Sequence, residues 1–313
     1  MSEKRIVLGH LNPDTDSVIS SFVYSKIAYN ISYPEAEFFL TGKTNKETQF
    51  IFDKFGIQLP DKTVENIDEE TEVVLVDHNI KEQRVPAVKD ESVSVIIDHH
   101  QVTFSHDKPI FIRTEPVGST ATILSEMLYE HAQVIPLDVA KLLFSAIISD
   151  TLFFNSPTTK AIDRQMVDRL NKIVQIPNIQ RFANQMFEAK SDLSGLTMEE
   201  ILSDSKIFEM GSKKVRITVL ETVDTTKTLE REQEMIEYLS NKKESEGNLS
   251  FLFIVDIIKK YSIGIAFSDE ESDAVKNCWP LYLEDESGRF ILDGLVSRKA
   301  QMVPALKKYF EEK

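Results

Sequence analysis

The sequence predicts an α/β protein: an N-terminal, mainly parallel sheet with helices on both faces, followed by a smaller C-terminal α+β domain. Three observations predict it. Short apolar runs alternate with stretches of helical periodicity over residues 5–188, the pattern of strands joined by helices. A polar, turn-prone stretch, Lys190-Ser191-Asp192-Leu193-Ser194-Gly195, then breaks the helical run. Beyond it, strand-like segments gather around one charged helix.

Residues 5–8 form a compact apolar strand ending in Gly9, and residues 15–31 carry Val18, Phe22 and Ile27 at helical spacing. Residues 36–40 read as strand, 46–55 as helix, and 72–76 as a strand ending at Asp77. Residues 93–97 make a strand ending at Asp98, and 110–113 one more. Helices are predicted over 119–131, 137–149, 160–173 and 178–188. The first domain is therefore placed at 1–189, a linker at 190–196 and the second domain at 197–313. Within the latter, 215–220, 250–258 and 262–267 read as strands, 226–241 as a charged helix and 303–311 as a closing helix. The acidic cluster Asp269-Glu270-Glu271 reads as a solvated turn.

Composition narrows the function classes. The balance of 51 acidic against 36 basic residues leaves a net charge of -15, which repels polyanions and disfavours a nucleic-acid-coating role. A small phosphate compound is not excluded, because metal ions and a few local cations can invert the sign inside a cleft. The single cysteine, Cys278, rules out an intramolecular disulfide and reads as an ordinary packed residue. The apolar run Ile6-Val7-Leu8 is too short for a signal-peptide core, and none elsewhere has the length of a membrane span. A cytoplasmic protein without a membrane partner is expected.

The chemistry gathers where the predicted strands end, the edge at which open parallel sheets bind ligands. Gly9-His10-Leu11-Asn12-Pro13-Asp14-Thr15-Asp16-Ser17 follows the first strand, Asp77-His78-Asn79 the third, and Asp98-His99-His100 the fourth, while Ser149-Asp150-Thr151 ends a later helix. Singly, each is weak: Asp14 or Asp16 can cap the following helix, and His99-His100 can be a polar turn. Together they hold four of the chain's six histidines, each beside aspartates. Carboxylates with imidazoles and no thiolates suit manganese, cobalt, iron or zinc. Two such ions, roughly 3.5–4 Å apart, clamp both ends of an in-line phosphoryl displacement.

With these residues assembled, the chain resembles the DHH phosphoesterase superfamily and, more closely, the family II, manganese- or cobalt-dependent inorganic pyrophosphatases. The four motifs, together with Pro116-Val117-Gly118-Ser119-Thr120-Ala121-Thr122 and Ser297-Arg298-Lys299, run in the family's order along essentially the whole chain. The resemblance implies one metal held by His10, Asp14 and Asp77, and a second held by Asp16, Asp77, His99 and Asp150, with Asp77 bridging. It implies that His100, Lys206, Arg298 and Lys299 meet the pyrophosphate, and that Asp98 and His78 orient ligands. It also implies two Mn²⁺ or Co²⁺ per chain, additional Mg²⁺ arriving with substrate, and a homodimer through the N-terminal domain. The expected reaction is attack by a metal-bridging hydroxide to give two orthophosphates, without a covalent intermediate. Metals and clamps on separate domains imply opening and closing near residues 190–195. Ala300 departs from the family, which commonly has a second lysine there.

Related exopolyphosphatases and small-nucleotide phosphodiesterases are the nearest alternative. The phosphodiesterases carry a glycine-rich substrate loop, whereas this chain has ten glycines, no two adjacent. A regulator that binds metal without catalysis conflicts with the complete ligand set. A dinucleotide-binding protein lacks its glycine fingerprint after the first strand.

Overall fold

The computed structural model describes residues 4–64 and 66–312. These divide into two compact units, Met1–Lys190 and Ser191–Lys313.

The first unit is built on a five-stranded sheet in which every neighbouring pair is parallel. Its strands are β1 (Arg5–Leu8), β2 (Glu37–Phe39), β3 (Glu72–Val76), β4 (Val93–Asp98) and β5 (Phe111–Thr114), ordered β2-β1-β3-β4-β5. The helices are α1 (Thr15–Ile27), α2 (Lys46–Phe55), α3 (Thr120–Glu130), α4 (Leu137–Asp150), α5 (Ala161–Val174) and α6 (Ile179–Lys190). Strand alternation, with a register shift in β4 between Val93 and Val95, sends Ile6, Leu8, Val73, Leu75, Val93 and Ile96 to one face, where they form a core with Val88. That face is covered by loop residues such as Val64, Ile67, Val85, Phe104 and Ile110. On the opposite face α1 and α3 pack against the strands, with α4 against both. Helix α4 is apolar around nearly its whole circumference, from Val139 to Ile148, because helices surround it.

Parallel pairing has one consequence for function. The central strands β1, β3 and β4 run side by side, with Leu8 beside Leu75 and Val76 beside Ile97. The residues after each strand therefore leave from the same edge of the sheet.

The second unit adds α7 (Met198–Ile201), β6 (Ser205–Met210), β7 (Lys213–Thr222), α8 (Thr225–Leu229), α9 (Glu232–Glu246), β8 (Leu249–Asp256) and β9 (Tyr261–Ala266). It ends with α10 (Asp269–Cys278), β10 (Leu283–Glu284), β11 (Phe290–Asp293), a π-helical turn at Arg298–Met302 and α11 (Val303–Glu311). Its six-stranded sheet, ordered β10-β11-β9-β8-β7-β6, is parallel only between β7 and β8. One face packs Leu252 and Ile254 against Met235 and Leu239 of α9; the other sets Phe251 and Phe253 against Phe310 and Trp279. Among the described residues, no helix is long and apolar enough to cross a membrane.

Three expectations change here. The 190–196 stretch, expected as a linker, is anchored: α6 continues through Lys190, and Leu193 and Leu196 pack into the second unit's core. The carbonyls of Leu193 and Leu196 also accept hydrogen bonds from the Arg231 guanidinium. That same Arg231 lies between α8 and α9, so the charged helix expected over 226–241 is two helices. Asp269-Glu270-Glu271, expected as a solvated turn, is the first turn of α10. Glu271 is fully buried and accepts from Lys243, Ser268 and the backbone N–H groups of Ser250 and Phe267. A buried carboxylate with four donors holds strand and helix together; it is not surface charge.

Candidate metal centre

The loop after β1 is fixed first. Gly9 lies so close to α1 that a Cβ would stand 2.3 Å from Ser17 Oγ and 3.0 Å from the Ser17 carbonyl oxygen, so only glycine fits. The Ser17 hydroxyl accepts the His10 N–H at 2.9 Å, and Thr41 donates to the His10 carbonyl at 2.6 Å. Asp14 caps α1 by accepting the Ser17 N–H at 2.9 Å. Capping does not use up this residue, because its second oxygen stands 3.6 Å from His10 Nε2.

Asp77 is the pivot. It follows β3 with φ +67°, a left-handed conformation costly for a non-glycine residue, which turns its side chain back over the sheet edge. Its carboxylate is almost wholly buried, with Oδ1 accepting from the Thr120 hydroxyl at 2.8 Å. Oδ2 faces His10 Nε2 at 3.7 Å, and Oδ1 faces His99 Nε2 at 3.5 Å. His99 Nε2 also stands 3.3 Å from Asp150 Oδ2 at the end of α4. Just beyond Asp150, the consecutive residues Leu152, Phe153 and Phe154 all have left-handed φ angles, of +48°, +47° and +68°. This turn stops α4 abruptly at the site.

Both imidazoles have a defined tautomer. His10 Nδ1 lies 2.8 Å from the Leu11 carbonyl oxygen and His99 Nδ1 3.0 Å from that of Val117. A carbonyl only accepts, so each Nδ1 carries a proton, and in the neutral ring each Nε2 turns a lone pair toward the carboxylates. Asp16 sits against the N-terminus of α3. Its Oδ1 accepts from Ser20, Ser119 and the Ala121 N–H, and its Oδ2 from the Thr120 N–H at 2.7 Å. One lone pair of Oδ2 remains for a further partner.

These side chains form three groups whose ligand atoms lie within 4.8 Å of one another: His10, Asp14 and Asp77; Asp16, His99 and Asp150; and Asp77, His99 and His100. The six predicted ligands thus come together. His100 differs in orientation. Its Nδ1 is 2.8 Å from Asp98 Oδ1 and 4.0 Å from Asp77, and its ring is half exposed. Asp98 is itself fixed by the Asn79 amide at 2.7 Å. His78 makes no bond to a ligand. It packs edge-on to the His10 ring, and burial holds it down to about 4, so it acts as a neutral wall.

Electrostatics argue for cations. Burial first, then the charges of Asp16, Asp14, Asp150 and Asp98, push the Asp77 carboxyl well above its ordinary range. Burial alone would depress His10 and His100, but hydrogen bonds and charge from Asp14 and Asp98 respectively outweigh it and raise both. This carboxylate crowd draws in protons, and divalent ions can take their place. Hard oxygens, imidazole Nε2 atoms of fixed tautomer and the absence of thiolate among these ligands fit Mn²⁺. In the second unit, burial pushes the pKa of the Cys278 thiol up to about 11, which leaves it an ordinary packed residue.

Sequence reasoning assigned no role to Ser119 and Thr120, which hold Asp16 and Asp77, nor to Asp163. Buried Asp163 accepts the Gly118 N–H at 3.0 Å and the Thr122 hydroxyl at 2.6 Å, and so fixes the loop that delivers them. The signal for the first pair was present in the 116–122 motif; nothing marked Asp163.

In the second unit, Lys206 lies exposed on β6 and Lys299 exposed on the π-helical turn. Arg298 is largely covered and donates from Nη1 to the Asp204 carboxylate at 2.6 Å and to its carbonyl at 3.1 Å.

Comparison with known proteins gives two family-model matches: the DHH family, N-terminal domain, over residues 4–147, and the DHHA2 domain over residues 184–309. Relatives from Bacillus cytotoxicus and Bacillus cereus, both bearing the name "Probable manganese-dependent inorganic pyrophosphatase", are 38% identical over 313 residues, covering 99% of this chain and 99% of theirs. A crystal structure from Methanococcus jannaschii, titled as a candidate family II inorganic pyrophosphatase, aligns with a TM-score of 0.76 and 34% identity. That alignment covers 98% of this chain and 99% of the other.

Proposed function

The chain belongs to the manganese-dependent inorganic pyrophosphatase family and hydrolyses pyrophosphate, and we propose that it does so at a binuclear centre bridged by Asp77. The observation that carries this reading is the placement of Asp77. Its two oxygens face two different imidazoles, His10 and His99, each of which belongs to its own ligand trio. In this reading His10, Asp14 and Asp77 hold one ion, and Asp16, Asp77, His99 and Asp150 the other, as two Mn²⁺ or Co²⁺, with Mg²⁺ accompanying substrate.

Bound there, such ions supply Lewis acidity to phosphate oxygens and lower the pKa of water toward neutrality. The chain's own residues do the rest. Asp98 fixes the Nδ1–H of His100, so Nε2 is the atom that exchanges a proton with a phosphate oxygen. Ser20 and Ser119, which donate to Asp16, and Thr120, which donates to Asp77, are fully buried, so these hydroxyls are not presented to a substrate as nucleophiles. That favours direct hydrolysis without a covalent intermediate. Four carboxylates balance two dications, so further positive charge must meet the substrate, and we assign it to Lys206, Arg298 and Lys299.

The test is phosphate release from pyrophosphate, tripolyphosphate and a dinucleotide after manganese loading. Pyrophosphate is expected to be strongly preferred; a preference for either of the others would overturn the substrate. We further propose a homodimer through the first unit. Edge strand β5 leaves Phe111 and Ile112 each 40% exposed, an apolar edge that a second copy would cover. Light scattering at micromolar concentration should give twice the chain mass, and a monomer would exclude the dimer.

A further inference from the structure

Glu47 is a carboxylate that the reaction does not use, yet it lies 1% exposed in the first turn of α2. Burying a carboxylate is costly unless it is well bonded. A single oxygen, Oε2, accepts from both Thr15 Oγ1 and Ser149 Oγ, each at 2.8 Å, while Oε1 has no hydrogen-bond partner among the described residues. Thr15 stands between Asp14 and Asp16 at the start of α1, and Ser149 immediately precedes Asp150 at the end of α4. Asn45 caps α2 through the Thr48 N–H at 2.8 Å, which fixes the turn that carries Glu47. One buried atom therefore ties together the two helix ends that present Asp16 and Asp150.

We propose that Glu47 is a positioning residue for the second ion pocket: through Thr15 and Ser149 it sets the distance between Asp16 and Asp150, and so the affinity of the Asp16–His99–Asp150 trio for its ion. This rests on the binuclear reading above. Its effect should be greater there than at the pocket of His10, Asp14 and Asp77, which adjoins Thr15 through Asp14 but draws on no residue of α4. The requirement is for an acceptor at Oε2, not for negative charge. An amide oxygen placed there can receive both hydroxyls, whereas alanine leaves the Ser149 hydroxyl without its acceptor and the Thr15 hydroxyl with only Thr48 Oγ1 at 3.1 Å and Asn45 Oδ1 at 3.4 Å, so the tie between the two helix ends is cut.

The experiment is Mn²⁺ titration of the metal-free full-length protein, followed by calorimetry and by the electron spin resonance of free Mn²⁺. Thermal melting of each metal-free variant is measured alongside. The wild type is expected to bind two ions. Glu47→Ala should weaken one site at least tenfold and leave the other within threefold, while Glu47→Gln keeps both. Ser149→Ala and Thr15→Val, milder should Glu47→Ala not fold, should each weaken the same site, with less than additive loss when combined. A general packing role would lower the melting temperature and move both sites together, or neither; either result overturns the proposal. Loss of the site in Glu47→Gln as well would mean that charge, not position, is responsible. A wild type that binds fewer than two ions would overturn the binuclear reading itself.

Discussion

Asp77→Ala is expected to lose manganese and activity together. In the proposed binuclear centre its carboxylate serves both pockets, with one oxygen facing His10 and the other His99, so its removal would strip a ligand from each ion at once. Removing a group that merely orients a ligand costs about 10–100-fold in affinity or activity. Loss of a shared ligand should therefore exceed ~100-fold, with fewer than two ions bound at saturating Mn²⁺. Steady-state kinetics and metal titration on the same preparation check this. A variant with full activity would show that Asp77 does not bridge.

The same residue should show the opposite effect on stability. Without metal, Asp77 is buried among Asp14, Asp16, Asp98 and Asp150, whose charges oppose its ionisation. Asn in its place keeps an acceptor for the Thr120 hydroxyl and tolerates the left-handed backbone at φ +67°. Metal-free Asp77→Asn should thus melt higher than the metal-free wild type, by about 2–4 °C per kcal/mol of repulsion removed. Added Mn²⁺ should reverse the order, because only the wild type gains the full binding free energy. Function at this position is held against local stability.

That opposition also explains what was legible in the sequence. Acids and imidazoles at strand and helix ends are what a metal centre needs, so residue type and position marked the four motifs holding His10, Asp14, Asp16, Asp77, His78, Asp98, His99, His100 and Asp150, and the family resemblance singled out His10, Asp14, Asp16, Asp77, His99 and Asp150 among them. The parallel sheet was legible for a similar reason, since strands buried on both faces read as continuous apolar runs such as Val73-Val74-Leu75-Val76. What escaped was tertiary. Glu47 and Asp163 look like ordinary charges on amphipathic helices, and only the folded chain shows that each meets hydroxyls or amides from distant segments. Glu271 misled for the same cause: three acids in a row read as solvated, yet helical geometry turns the third inward to meet four donors. The short strands β10 and β11 and the π-helical turn carry too few residues for a period to emerge.

Arg298→Ala is expected to keep both manganese ions while kcat/KM for pyrophosphate falls about 10²–10³-fold, the scale of losing one well-placed donor to transition-state charge. Arg298 opens the π-helical turn, an irregularity that often marks functional sites, and Ser297 Oγ caps that turn at the Ala300 N–H at 3.2 Å. With alanine at 300, Arg298 and Lys299 carry all the positive charge of the turn, so only Lys299 is left to compensate. Asp204 grips only one nitrogen of the guanidinium, through Nη1, which steadies the fork and leaves Nε and Nη2 for phosphate. Arg298→Lys should recover little, because an ammonium cannot make the two-pronged contact. Asp204→Ala should cost less than Arg298→Ala, since the cation stays and only its tether is lost. If Arg298→Ala held kcat/KM within threefold of wild type, the assignment of this residue to pyrophosphate would fail; if manganese binding fell with it, the residue would belong to the metal centre and not to the substrate.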